Sequence, residues 1–123
     1  MFAASARASG DPTPQTIGYQ PLTAPNACLP DADGFRSALA VYTSRHALPG
    51  WSRLLVVYQR DQDAVRAHAY CVFTLEGRIW TYDQASGSRR AWIDPAEKND
   101  SEKLGRLLAT PGFVRAAWAD RTL

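Results

Sequence analysis

The sequence predicts an α+β domain: an N-terminal helix packed on an antiparallel sheet of three or four strands, with a C-terminal helix after it. Three observations predict it. Residues 28–46 repeat their apolar side chains at helical spacing. Residues 52–83 hold three runs rich in β-branched and aromatic residues, two of them joined across a glycine turn. Residues 96–110 return to a helical pattern that stops at Pro111-Gly112.

Each element has its own warrant. The segment up to position 30 carries Pro12, Pro14, Pro21, Pro25 and Pro30, five of the eight prolines, so it is expected to be irregular or extended. Residues 1–17 are read as a disordered or signal-remnant tail, and 18–123 as a single domain. In "CLPDADGFRSALAVYTSRHALPG", Phe35, Leu39, Tyr42 and His46 fall on one helical face, widened by Ala38 and Val41. Asp31 and Asp33 suit a cap or first turn. Pro30 fits only a first turn, which puts the helix start close to Cys28. "LPG" at 48–50 ends it.

"SRLLVVYQ" is apolar almost throughout, as a strand covered on both faces would be. "AHAYCVFTL" and "GRIWTYD", linked by "LEG" at 75–77, predict an antiparallel hairpin. "QASGSRR" reads as a loop and "AWIDP" as one more short strand. "AEKNDSEKLGRLLAT" reads as a helix with Leu104, Leu107 and Leu108 inward. "FVRAAWADRTL" is expected to close the chain as a short helix or a loose tail.

The bulk composition narrows the function. A chain of 123 residues, 46% hydrophobic and 11% aromatic, can build one core without disulfides. Fourteen basic and twelve acidic residues give a net charge of +2, with the bases scattered, which argues against a nucleic-acid partner. No apolar run is long enough to span a bilayer. No Cys or His pair has metal-ligand spacing, so no metal is expected. The start "MFAASARASG" resembles the cleavage end of a secretory signal. An exported, periplasmic or secreted protein is therefore expected, with a cytoplasmic one as the alternative.

Three residues could carry chemistry together. Alternation along the first hairpin strand puts His68, Tyr70, Val72 and Thr74 on one face, and Ala69, Cys71, Phe73 and Leu75 on the other. His68 lies eight residues before Glu76, and Asp83 six after Gly77. Both therefore fall near the open end of the hairpin, within reach of a hydrogen bond. A carboxylate that fixes one ring nitrogen of a histidine leaves the other free to take a proton. Cys28, at a predicted helix start, is the matching nucleophile, because backbone N–H groups there stabilise a thiolate. Taken singly, each has a plainer reading: an inert or disulfide-bonded thiol paired with Cys71, a packed histidine, a turn aspartate. The order Cys, His, Asp favours the catalytic reading.

At these residues the chain resembles the papain-like superfamily, in the branch of the bacterial transglutaminase-like cysteine peptidases. The similarity runs through "NACLPDADGFRSALAVY", "SRLLVVY" and "AHAYCVFTLEGRIWTYD", over residues 26–90. "DQASGSRR" is also similar to the Asp-x-x-x-Gly loop of bacteriocin-leader peptidases. The resemblance implies a papain-like, transglutaminase-like fold with a Cys28 nucleophile, a His68 base and an orienting Asp83. It implies peptidase, amidase or acyl-transfer chemistry through a thioester, without a cofactor. A short chain with no obvious lid suggests an open cleft and a peptide or protein substrate. It departs from the pattern at Asn26, where glycine is common, and at Leu29-Pro30. It also lacks a clear glutamine for the oxyanion. Gln20, Asn26 and Trp51 are the candidates for oxyanion or substrate contacts. The competing expectation is a non-catalytic binding or accessory domain, for which Trp51, Trp80, Trp92 and Trp118 supply aromatic surface.

Overall fold

The computed structural model describes residues 11–119. The signal-like start at 1–10 lies outside the described residues. From position 14 the chain is already packed. A short helical turn, α1 (Pro14–Ile17), is capped by the Thr13 side chain, and Ile17 is buried. The core thus takes in residues that composition alone assigned to a tail.

The long helix α2 (Cys28–Arg45) starts where Pro30 required. Ala32, Phe35 and Leu39 turn inward at three- and four-residue spacing. Tyr42 is half-buried, Val41 is exposed, and His46 is the exposed C-cap. Five strands follow, not the three or four expected: β1 (Trp51–Asp61), β2 (Ala64–Leu75), β3 (Arg78–Asp83), β4 (Gly87–Ala91) and β5 (Phe113–Trp118). A helix, α3 (Ser101–Ala109), lies between β4 and β5 in sequence. Its N-cap is Asp100, whose carboxylate accepts from the Lys103 N–H.

The sheet order is β4-β3-β2-β1-β5, antiparallel throughout. Glu76 and Gly77, both at positive φ, make the two-residue turn between β2 and β3. The fourth strand falls on "GSRRA", four of its five residues inside the segment expected as a loop, and takes only Ala91 of "AWIDP". Its side chains lack an apolar run, because it is an edge strand and Ala91 alone is buried. The chain end is also a strand, neither helix nor tail: β5 pairs with β1 from Leu55↔Trp118 to Gln59↔Phe113. Pairing with β1 and packing on α3 outweigh the weak strand preference of its two alanines. Gly105 permits that packing, since a Cβ there would collide with the Phe113 ring.

Two cores lie on opposite faces of the sheet. On one, α2 packs against Leu54, Ala69, Cys71, Phe73, Trp80 and Tyr82. Phe35 stacks on Tyr82 at 4.0 Å between ring centroids, and Tyr19 meets both edge-on. On the other, α3 covers Leu55, Val57, Tyr70, Val72 and Ile79 through Leu104 and Ala109. Among the described residues, no helix is long and apolar enough to cross a membrane.

Candidate active site

β2 runs on past the point where β3 stops. Cys71 pairs with Tyr82, so Asp83, the last residue of β3, comes next, across from Tyr70. His68 stands two residues further along the same face of β2, diagonal to Asp83, where long side chains still meet. They do: His68 Nε2 and Asp83 Oδ2 are 2.7 Å apart. An ionised carboxylate can only accept, so Nε2 carries a proton, and in the neutral ring the lone pair lies on Nδ1. The Tyr70 ring holds the imidazole edge-on at 5.0 Å. Asp83 is 2% exposed and the His68 side chain 34%, so the imidazole reaches solvent while the carboxylate does not. Asp83 Oδ1 is buried with no hydrogen-bond partner among the described residues.

Cys28 opens α2 and is half-buried. It lines one cleft of about 690 Å³ together with His68, Tyr70 and Asp83. The helix approaches from the α2 face of the sheet and the histidine projects from the other. They share a cleft at the end where β3 has stopped. No hydrogen bond joins the thiol to the imidazole among the described residues, and such contacts often tighten only around a substrate. No disulfide joins Cys28 and Cys71 among the described residues, which goes against the stapled alternative. The first-turn amides of α2 that lack a helical acceptor belong to Cys28 and Leu29, since Pro30 has none and the Asp31 N–H bonds Ala27. These two amides are available for an oxyanion.

The three auxiliary candidates separate. Asn26 lines the cleft, at φ 64°, a left-handed conformation that asparagine tolerates. Gln20 is exposed and outside the cleft. Trp51 begins β1 opposite Thr74, whereas the cleft lies at the far end, where Val57 pairs with His68. Six strand residues separate those pairs, about 20 Å. Trp51 instead packs edge-on to Trp118 at 6.3 Å.

Four further residues, none of them a candidate from sequence, shape the site. Asp31, which reads as a cap, is fully buried and accepts three hydrogen bonds besides its helical role. They come from the Tyr19 hydroxyl at 2.8 Å, the Leu22 N–H at 2.8 Å and the Tyr82 hydroxyl at 2.7 Å. It ties the strap before Cys28 to the strand before Asp83. Burial, then the bond to Asp31, pushes the Tyr19 phenol up to about 12. The same causes raise Tyr82 further. Gln84, next to Asp83, donates to the carbonyls of Leu22 at 2.8 Å and Ala24 at 3.1 Å, pinning the same strap. Tyr70 faces the cleft with its phenol pushed up to about 12, by burial first and then by the Asp83 charge. It therefore remains a neutral O–H donor in the cleft that Cys28 also lines. Arg89, from β4, completes the wall. Strand alternation marks Tyr70, which shares the face of His68; nothing local marks Gln84 or Arg89.

Among the described residues, no group of three or more His, Cys, Asp or Glu is placed to hold a metal. In comparisons with known protein families, curated proteins and solved structures, nothing matches this chain.

Proposed function

We propose that the protein is a cysteine-dependent hydrolase that cleaves an amide bond through a thioester, with Cys28 as nucleophile, His68 as base and acid, and Asp83 as orienter. The observation that carries this reading is the 2.7 Å bond from His68 Nε2 to a buried Asp83 at the mouth of a cleft that Cys28 also lines. The resemblance to papain-like, transglutaminase-like peptidases supports it through the order of the three residues and the elements that bear them. That resemblance also carries the proposal of a papain-like fold.

The chemistry follows from the geometry. His68 Nδ1 takes the thiol proton as Cys28 Sγ attacks the carbonyl carbon. The oxygen becomes an oxyanion, held by the Cys28 and Leu29 amides. Asp83 balances the imidazolium across the Nε2 bond. Collapse breaks the C–N bond, and the amine leaves with the proton from Nδ1. Water, deprotonated at Nδ1, then attacks the thioester; the acid departs and the thiol is restored. An amine in place of water gives transfer through the same steps.

The test needs no substrate. At neutral pH, Cys28 should be alkylated by iodoacetamide several-fold faster than glutathione, read by peptide mass spectrometry. His68→Ala should remove that advantage. A Cys28 no faster than glutathione would exclude the hydrolase and leave the accessory-domain reading.

A further inference from the structure

Arg89 sits on β4 opposite Thr81, which places it on the Asp83 face of the sheet. It lines the cleft beside His68 and Tyr70. Its charge reaches inward, since it lowers the pKa of the buried Tyr70 phenol against the pull of burial. The other cations of the fold are mostly occupied. Lys103 pairs with Glu97 at 2.7 Å and Arg106 with Glu102 at 3.1 Å. Arg90 and Arg115 lie over the rings of Trp92 and Tyr58 at 3.9 and 4.0 Å. Arg89 has no acid within ion-pair distance among the described residues. The second cation of the cleft, Arg66, meets Asp61 only at 3.9 Å and in solvent. Among the described residues the one carboxylate in the cleft wall, Asp83, is buried and committed to His68. An incoming molecule therefore meets a cationic wall beside the nucleophile.

We propose that this cleft selects acyl substrates bearing a carboxylate near the scissile amide, with Arg89 as the residue that determines the preference. The inference rests on the cysteine-hydrolase reading of the same cleft. A guanidinium is suited to this, because its planar fork matches a carboxylate with two parallel bonds.

Paired alkylating reagents test it. Iodoacetate and iodoacetamide deliver the same carbon to sulfur but differ by one negative charge. The rate ratio of iodoacetate to iodoacetamide at Cys28 should exceed that of glutathione. It should fall by about fivefold in Arg89→Gln and persist in Arg89→Lys. Arg66→Gln should lower it less, and salt at about 1 M should erase most of the excess. An unchanged ratio in Arg89→Gln overturns the proposal. The experiment repeated near pH 9.5, about one unit above an ordinary thiol, reads the effect of Arg89 even if Cys28 is not activated. Failure of the hydrolase reading appears separately, as a slow wild-type iodoacetamide reaction at neutral pH.

Protection of Cys28 from iodoacetamide then distinguishes the source of the carboxylate. N-acetylglutamine carries a terminal carboxylate, and N-acetylglutamate α-amide a side-chain one. Each is compared with the neutral N-acetylglutamine amide. Stronger protection by either supports the proposal and names the substrate end. Protection no better than by the neutral amide counts against it.

Discussion

Among the described residues two carboxylates are buried, and they are treated in opposite ways. Asp31 accepts from two phenols and a backbone amide, using both oxygens. Asp83 makes one bond, to a histidine that reaches solvent, and its other oxygen has no partner among the described residues. They sit on opposite faces of the sheet and are linked through the neighbours Tyr82 and Asp83. A saturated buried carboxylate is a structural joint, because each donor around it would be orphaned by its loss. A buried carboxylate with a single titratable partner is poorly explained as a joint. It is well explained as a charge kept to orient and balance an imidazole.

The largest effect expected from this contrast is on stability. Asp31→Ala would strand the buried Tyr82 hydroxyl and the Leu22 amide and leave the Tyr19 hydroxyl only the carbonyl of residue 31, and should cost about 3–5 kcal/mol in urea denaturation. Asp83→Ala strands only a half-exposed ring that water can reach, and should cost about 1 kcal/mol. Equal losses at the two sites would abolish the distinction.

Reactivity should rank the pair the other way. Asp83→Asn keeps the size of the side chain but removes the charge that balances an imidazolium. Cys28 alkylation at neutral pH should fall by about tenfold, with stability within about 1 kcal/mol of wild type. Asp31→Asn should slow alkylation much less than it lowers stability.

Much of this contrast is legible in the amino-acid sequence, and the reason is locality. The Phe35/Leu39 face and the Cys28 helix start follow from a period and a proline. The nearness of His68 and Asp83 follows from alternation and a two-residue turn. What the sequence hides depends on long-range partners. "GSRRA" becomes a strand only because β3 offers an edge, and "FVRAAW" only because β1 does. Asp31 reads as a first-turn acid, which it is, but its three donors come from positions 19, 22 and 82. Trp51 reads as a site residue because nothing in the sequence says which end of β1 faces the cleft.

Alkaline titration sharpens the comparison through the tyrosines attached to each carboxylate. Tyr70 beside Asp83 and Tyr19 beside Asp31 both ionise near 12 in the fold, against about 10 in an unfolded chain. Between these values the unfolded state binds fewer protons, so stability falls as pH rises. The contribution is intact below about pH 10 and gone above about 12. Tyr70→Phe should flatten this slope, by about 1–2 kcal/mol across the window after allowance for solvent screening at the cleft mouth. Denaturation midpoints at the two ends of the window measure it. If Tyr70→Phe leaves the slope unchanged, the phenol is not in the buried environment assigned to it.

The smallest effect expected comes from the side chain that joins the two carboxylates' territories. Gln84 follows Asp83 and holds the carbonyls of Leu22 and Ala24, in the strap that Asp31 holds by the Leu22 amide. Its bonds lie near solvent, so Gln84→Ala should cost only about 0.5–1 kcal/mol. The strap leads directly into Asn26 and Cys28, and its position sets where the thiol stands relative to Nδ1. Cys28 alkylation should therefore slow by about two- to threefold, more than so small a loss of stability would suggest for a fold that remains intact. Gln84→Glu provides the control. It keeps the length of the side chain but replaces its donor with an acceptor facing two carbonyls, so it should slow alkylation at least as much as the alanine. A Gln84→Glu variant with wild-type alkylation would show that the strap is placed by Asp31 alone, and that positioning Cys28 belongs entirely to the saturated carboxylate.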